Sequence, residues 1–197
     1  MYTWMKVKSA NTAVSGICGL FYYYQWYYKE EIMKKTTLRI TLLALFIALA
    51  AVGANIKIMG SIAFDALPAF LAAMLLGSRE GAIAGAAGHL FSALLSGFPM
   101  TLPMHLVVAA EMAAICYLTG WMVQKRGLPI WAASIPAFAL NAFVSPLIVV
   151  VWPGMGPAVY LTLLIPLTIA SAVNVAGAAL LAGALKKPLA PILEAQR

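Results

Sequence analysis

From Thr37 onward the chain is a succession of long apolar runs separated by short polar connectors. The runs cover about Thr37 to Ile58, Asp65 to Leu76, Gly81 to Ser96, Pro103 to Val123, Pro129 to Val151 and Ala158 to Leu185. A membrane helix needs ~20 consecutive apolar residues, so the pattern predicts an all-α integral membrane protein with six transmembrane helices, the second of them short. Glycine, proline and charge mark the connectors: Gly77-Ser78-Arg79-Glu80, Gly97 to Pro103, Lys125-Arg126-Gly127 and Trp152 to Pro157. Cations collect on one side of this arrangement, at Lys34, Lys35, Arg39, Arg79, Lys125, Arg126, Lys186, Lys187 and Arg197; the other side has Lys57 alone. Cytoplasmic loops carry the excess of Lys and Arg, so both the N and the C terminus are expected in the cytoplasm. The Gly97–Pro103 connector and the Trp152–Pro157 turn then face outward.

Composition agrees with the pattern. With 63% hydrophobic and 10% charged residues, the chain is too apolar for a soluble domain. The net charge of +7 does not mark a nucleic-acid surface, because the cations sit in the connectors as topology determinants. Cys18 and Cys116 lie far apart and give neither a disulfide framework nor metal-ligand spacing. Residues 1–32 break the pattern. They carry an aromatic block, Phe21 to Tyr28, and lack the layout of a signal peptide. Lys29-Glu30-Glu31 can be written in purine codons resembling a ribosome-binding site just ahead of Met33. The expectation is therefore an atypical, non-native extension over 1–32 and a membrane domain over 33–197, the alternative being an interfacial aromatic anchor.

Candidate chemistry concentrates between Gly85 and Glu111. Ionisable groups at membrane depth are costly and face a protein interior or a water-filled cavity, which makes His89 and Glu111 functional candidates. At ~1.5 Å rise per residue each lies about 12 Å below the outer surface, on neighbouring antiparallel helices, where the two could pair. His105 sits at the mouth of the fourth span, either solvated or part of the same pocket. Asp65 precedes Pro68 and reads as a helix N-cap, a position from which a carboxylate can also line a pocket. Asn141 falls about 15 Å below the Trp152 end, close to the His89–Glu111 level, whereas Asn174 at about 25 Å reads as an interhelical hydrogen-bonding residue. Phe98, Trp152 and Tyr160 lie at the outer mouth, as an aromatic belt or as stacking platforms.

Small residues form close-packing faces at Ala44 and Ala48 in the first span and at Gly81, Gly85 and Gly88 in the third; internal packing accounts for both. No Gly-rich loop ending in Lys-Ser/Thr holds a nucleotide, and no Gly-x-Ser-x-Gly elbow is present. The two histidines are sixteen residues apart with no clustered ligands for zinc. No catalytic residue, metal site or cofactor is expected. A small intramembrane enzyme using His89 and Glu111 as an acid–base pair is the competing class.

From about Met33 to Lys187 the chain resembles the substrate-binding S components of energy-coupling factor (ECF) vitamin transporters. Two features carry the resemblance. Ala44-x-x-x-Ala48 matches the alanine motif by which S components dock on the coupling transmembrane subunit. The run from Phe64-Asp65 through Pro68 to Gly77-Ser-Arg-Glu-Gly81 is similar to the family's passage from second to third span, with Gly-Ser where Gly-Pro is commoner. The resemblance implies capture of a vitamin or vitamin precursor at the outer face of a bacterial cytoplasmic membrane. Toppling of the S component would follow, in a complex with the coupling subunit and two ATPase subunits. The outer half carries Asp65 and Glu111, no arginine, and Lys57 as its one cation, which argues against a carboxylate substrate and for a neutral or weakly basic ring carrying hydroxyls. Gly97-Phe98-Pro99 and Pro103-Met104-His105 look like the subgroup associated with α-ribazole, the benzimidazole nucleoside of cobalamin. Trp152 or Phe98 would then stack on the ring, with Glu111, Asp65 and Asn141 receiving the ribose hydroxyls.

Overall fold

A computed structural model describes residues 17–59 and 62–194. It divides into two units, Met1–Ile40 and Thr41–Ala195. Helix α1 (Ile17–Gly53) begins well before the predicted first span. In the first unit its tyrosines stack at helical spacing, Tyr23 on Tyr27 and Tyr24 on Tyr28, and Glu31 pairs with Lys35 at 3.6 Å. Residues 1–16 of the expected extension lie outside the described residues.

In the second unit α1 gives way to a short antiparallel ladder, β1 (Lys57–Met59) with β2 (Ile62–Ala63). The expectation of helices alone missed it. Helix α2 (Ala66–Leu75) follows, then α3 (Ser78–Leu95), α4 (Leu102–Gln124), α5 (Ile130–Ala139), α6 (Ile148–Val151), α7 (Pro157–Leu185) and α8 (Ala190–Glu194). A π turn (Leu140–Val144) and a 3-10 turn (Ser145–Leu147) join α5 to α6, so the predicted fifth span is a single broken helix.

Among the described residues four helices are long and apolar enough to cross a membrane: Tyr23–Gly53, Leu102–Gln124, Ile130–Val151 and Pro157–Leu185. The other two expected spans differ for separate reasons. Helix α2 has ten residues, about 15 Å, or half the ~30 Å hydrocarbon thickness. It survives because all but one of its residues are buried, so the protein rather than lipid surrounds it. Helix α3 is longer but diluted by Arg79, Glu80, His89 and three glycines.

Small side chains set how closely these helices approach. A Cβ on Gly120 would stand 2.7 Å from the Ser78 backbone, so α4 meets the start of α3 nearly backbone to backbone. A Cβ on Gly85 would meet the Met112 carbonyl oxygen at 2.9 Å. Such contacts are how membrane helices gain dispersion energy without a hydrophobic drive. Gly77, at φ 132°, turns the chain from α2 into α3 in a conformation open to glycine. Gln124 ties the ends of α4 and α2 together, its Nε2 donating to the Met74 carbonyl at 2.6 Å.

Candidate functional site

The site is built where β2, α2, α3, α4, the broken α5–α6 helix and α7 converge. Asp65 sits immediately before α2 and is 7% exposed. It occupies the N-cap position, yet its carboxylate makes no cap hydrogen bond and is left facing a cavity. The cap expectation therefore holds for position and not for bonding. Asn174 of α7 holds the flanking backbone instead: its Oδ1 accepts from the Leu67 amide and its Nδ2 donates to the Ala63 carbonyl, both at 3.0 Å. Asn174 is an interhelical hydrogen-bonding residue, as expected from its depth, and it lines the same cavity.

Gly97 (φ 71°) and Phe98 (φ 51°) turn the chain out of α3. A bulky residue in the left-handed region is strained, and such strain collects at functional sites. Here it sets the Phe98 ring beside His105, centroids 5.8 Å apart. Thr101 then starts α4, its hydroxyl accepting from the Met104 amide at 3.2 Å, and Pro103 occupies the first turn. That start fixes His105 over α3, where its Nδ1 lies 3.1 Å from Nε2 of His89.

The pair expected between His89 and Glu111 does not form. Glu111 accepts from the Ser145 hydroxyl at 2.6 Å. Counting rise matches depth but ignores azimuth: six residues at ~100° each turn Glu111 about 120° away from His105, off α3 and toward the α5–α6 break. His105 is not solvated either, being 2% exposed.

These elements enclose a cavity of about 100 Å³. Asp65, His89, His105 and Asn141 line it, together with Ser145 and Asn174. Met104, Val108, Met112, Leu163 and Leu167 supply its apolar wall. Asn141 donates to the Ser171 hydroxyl at 3.0 Å. Glu111 reaches the wall only through Ser145. Phe98, Trp152 and Tyr160 are not lining residues; the Tyr160 hydroxyl donates to the Phe143 carbonyl at 3.3 Å. Sequence reasoning missed Ser145, whose signal was a small polar residue four positions after Asn141 in an apolar run. Among the described residues no three His, Cys, Asp or Glu side chains gather as metal ligands.

A helical membrane protein with a small buried pocket, walled by thioethers and aliphatic groups and studded with a few polar ones, has the build of a small-molecule binding subunit. The comparisons give the particular family. The model for "ECF transporter, substrate-specific component" matches residues 38–185, and the chain belongs to that family. Comparison with curated proteins and with solved structures finds no match. The protein is thus a membrane subunit for substrate-specific uptake and not an enzyme. Membership implies association with the transporter's transmembrane and ATPase subunits and binding of a small-molecule substrate.

Proposed function

We propose that this chain captures a neutral or weakly basic ring compound bearing hydroxyls, α-ribazole in first place. In this reading the chain passes six times through a bacterial cytoplasmic membrane, the ten-residue α2 doing so inside the protein rather than as a lipid-facing span, both termini are cytoplasmic and the pocket opens outward. The observation that carries the substrate class is the Asp65 carboxylate. It is buried, lines the cavity and pairs with no Lys or Arg among the described residues. No described lining residue is a Lys or an Arg. A buried carboxylate held only by the backbone amides of Asp65 and Ala66, with no described cation beside it, is costly, and a ligand that donates hydrogen bonds or carries partial positive charge reduces that cost. A carboxylate ligand would add to it.

The void of about 100 Å³ is smaller than a bicyclic ring, so the ring system enters against Met104, Val108 and Met112 only as the walls move apart. A nucleoside is larger, and its binding widens the mouth. Its hydroxyls donate to Asp65 and to the Asn141 carbonyl oxygen. Ala44 and Ala48 are exposed on one face of α1, four residues apart, which supports their use in docking on the coupling transmembrane subunit.

The test is mass spectrometry of the small molecule that co-purifies in detergent, followed by calorimetric titration of α-ribazole. Tight binding is expected, weakened about tenfold or more by Asp65→Ala, since a hydrogen bond to a charged group is worth ~1.5–3 kcal/mol. Binding of another neutral vitamin would keep the substrate class and replace the compound. Preference for a carboxylate vitamin would overturn the class.

A further inference from the structure

Among the described residues, one buried side-chain polar atom has no hydrogen-bond partner: Nε2 of His105. The ring lines the cavity and is otherwise held. His89 engages Nδ1 at 3.1 Å with the two rings tilted by 33°, and Phe98 stands against another side. A buried, unpaired nitrogen in a pocket wall is a polar contact awaiting its partner.

The neighbouring groups decide what that partner offers. The Ser145 hydroxyl already donates to Glu111, so its oxygen can only accept from a ligand. Asn141 spends one N–H on Ser171. Asn174 spends one N–H on Ala63 and its oxygen on Leu67. Asp65 accepts. Beyond the second N–H of each asparagine amide, the other polar groups of this wall offer acceptors.

The two imidazoles share one hydrogen bond, and its sense sets both tautomers. When Nε2–H of His89 donates to Nδ1 of His105, a neutral His105 carries its own proton on Nε2 and supplies a ring donor. The reverse sense would add one more acceptor.

We propose that Nε2–H of His105 recognises an unprotonated ring nitrogen of the captured molecule, and that His89 is the positioning residue that holds His105 in that tautomer. This rests on the neutral ring compound inferred above. A benzimidazole nucleoside presents one such nitrogen to the donor and its hydroxyls to the acceptors. A ring with C–H at that position leaves the donor buried and unpaired, and sites built to hydrogen-bond a group reject its isostere strongly.

Two measurements test this, the first without any ligand. The chain has two histidines, so a sample labelled with ¹⁵N-histidine reports on this pair alone. His105 is expected as the Nε2–H tautomer; Nδ1–H at His105 overturns the donor assignment whatever the substrate. The second compares α-ribazole with its analogue carrying C–H for the ring nitrogen. The unmodified protein should prefer α-ribazole by about tenfold to a hundredfold. His105→Phe should bind both alike. His89→Gln, which still offers an N–H to Nδ1, should keep more of the preference than His89→Ala. Equal discrimination with and without His105 overturns the proposal while leaving the proposed substrate standing. Failure of α-ribazole to bind at all, with His105 in the expected tautomer, removes the compound and leaves the donor assignment supported.

Discussion

Replacing Asn174 by leucine tests how the pocket is held rather than what it touches. The side chain is 2% exposed and spends both polar atoms on backbone flanking Asp65, the Ala63 carbonyl before it and the Leu67 amide after it. The Leu67 amide belongs to the first turn of α2, where amides have no partner inside the helix. Leucine matches the volume closely and orphans both groups. Hydrogen bonds between membrane helices average about 0.6 kcal/mol and reach about 1.7, so two give about 1–3 kcal/mol. At roughly 2–4 °C per kcal/mol for a chain of this size, the unfolding midpoint in detergent should fall by roughly 2–12 °C. Asp65 loses its alignment at the same time, and α-ribazole affinity should drop at least about twofold, the lower end of one hydrogen bond's worth. Asn174→Asp tests the donor by pH. Protonated, the new carboxyl keeps an acceptor for Leu67 and an O–H for Ala63 and should leave the midpoint near the original; ionised, it loses the donor and adds a second acceptor-only group beside Asp65, so the midpoint should fall as the pH rises. An Asn174→Leu protein that melts within about 1 °C of the original and binds with unchanged affinity would refute the reasoning.

Two further outcomes follow from packing and from the proposed docking face. Gly120→Val should place its Cβ against the Ser78 backbone, and overpacking of this kind costs about 1–3 kcal/mol or more, read as a lowered midpoint and a poor yield of monodisperse protein; an unchanged midpoint would show that α3 and α4 separate freely. Ala44→Leu together with Ala48→Leu should leave ligand affinity unchanged and abolish capture of the coupling subunit in detergent. Retained capture would remove these alanines from the docking face.

The fold was legible wherever a single physical cause dominated. Long apolar stretches located the helices from Leu102 to Gln124 and from Pro157 to Leu185 within a residue or two, because hydrocarbon length and backbone satisfaction leave little choice. The ladder Lys57–Met59 with Ile62–Ala63 was not legible: its strands are three and two residues long, below any period-2 signal. In the site, depth could be counted from the sequence and direction could not. Asp65, His89, His105 and Asn141, which line the cavity, stood out because a polar residue in an apolar run is conspicuous. Their pairings were not, since His89 chose His105 over Glu111 by azimuth, which depends on how α3 and α4 rotate against each other.

The break between α5 and α6 shows why direction escapes the sequence. In an uninterrupted α-helix seven residues return to within about 20° of the starting face. The buried face of Ala137 would therefore next present Val144. Instead Val144 is 51% exposed and Ser145 is 9% exposed. The π turn Leu140–Val144 supplies the one extra residue that moves the face along by a position. Pro146 lies just beyond it and has no amide to give the carbonyl four residues back, so a regular helix could not have passed through this point without loss. The irregular stretch thus exchanges a valine for a serine in the cavity wall and brings Ser145 within reach of Glu111. Nothing in Leu-Asn-Ala-Phe-Val announces a π turn, yet the polar half of this wall depends on it. The prolines on either side of that run, Pro136 and Pro146, are local signs in the sequence, and they signal a disturbance without saying which way the helix will turn.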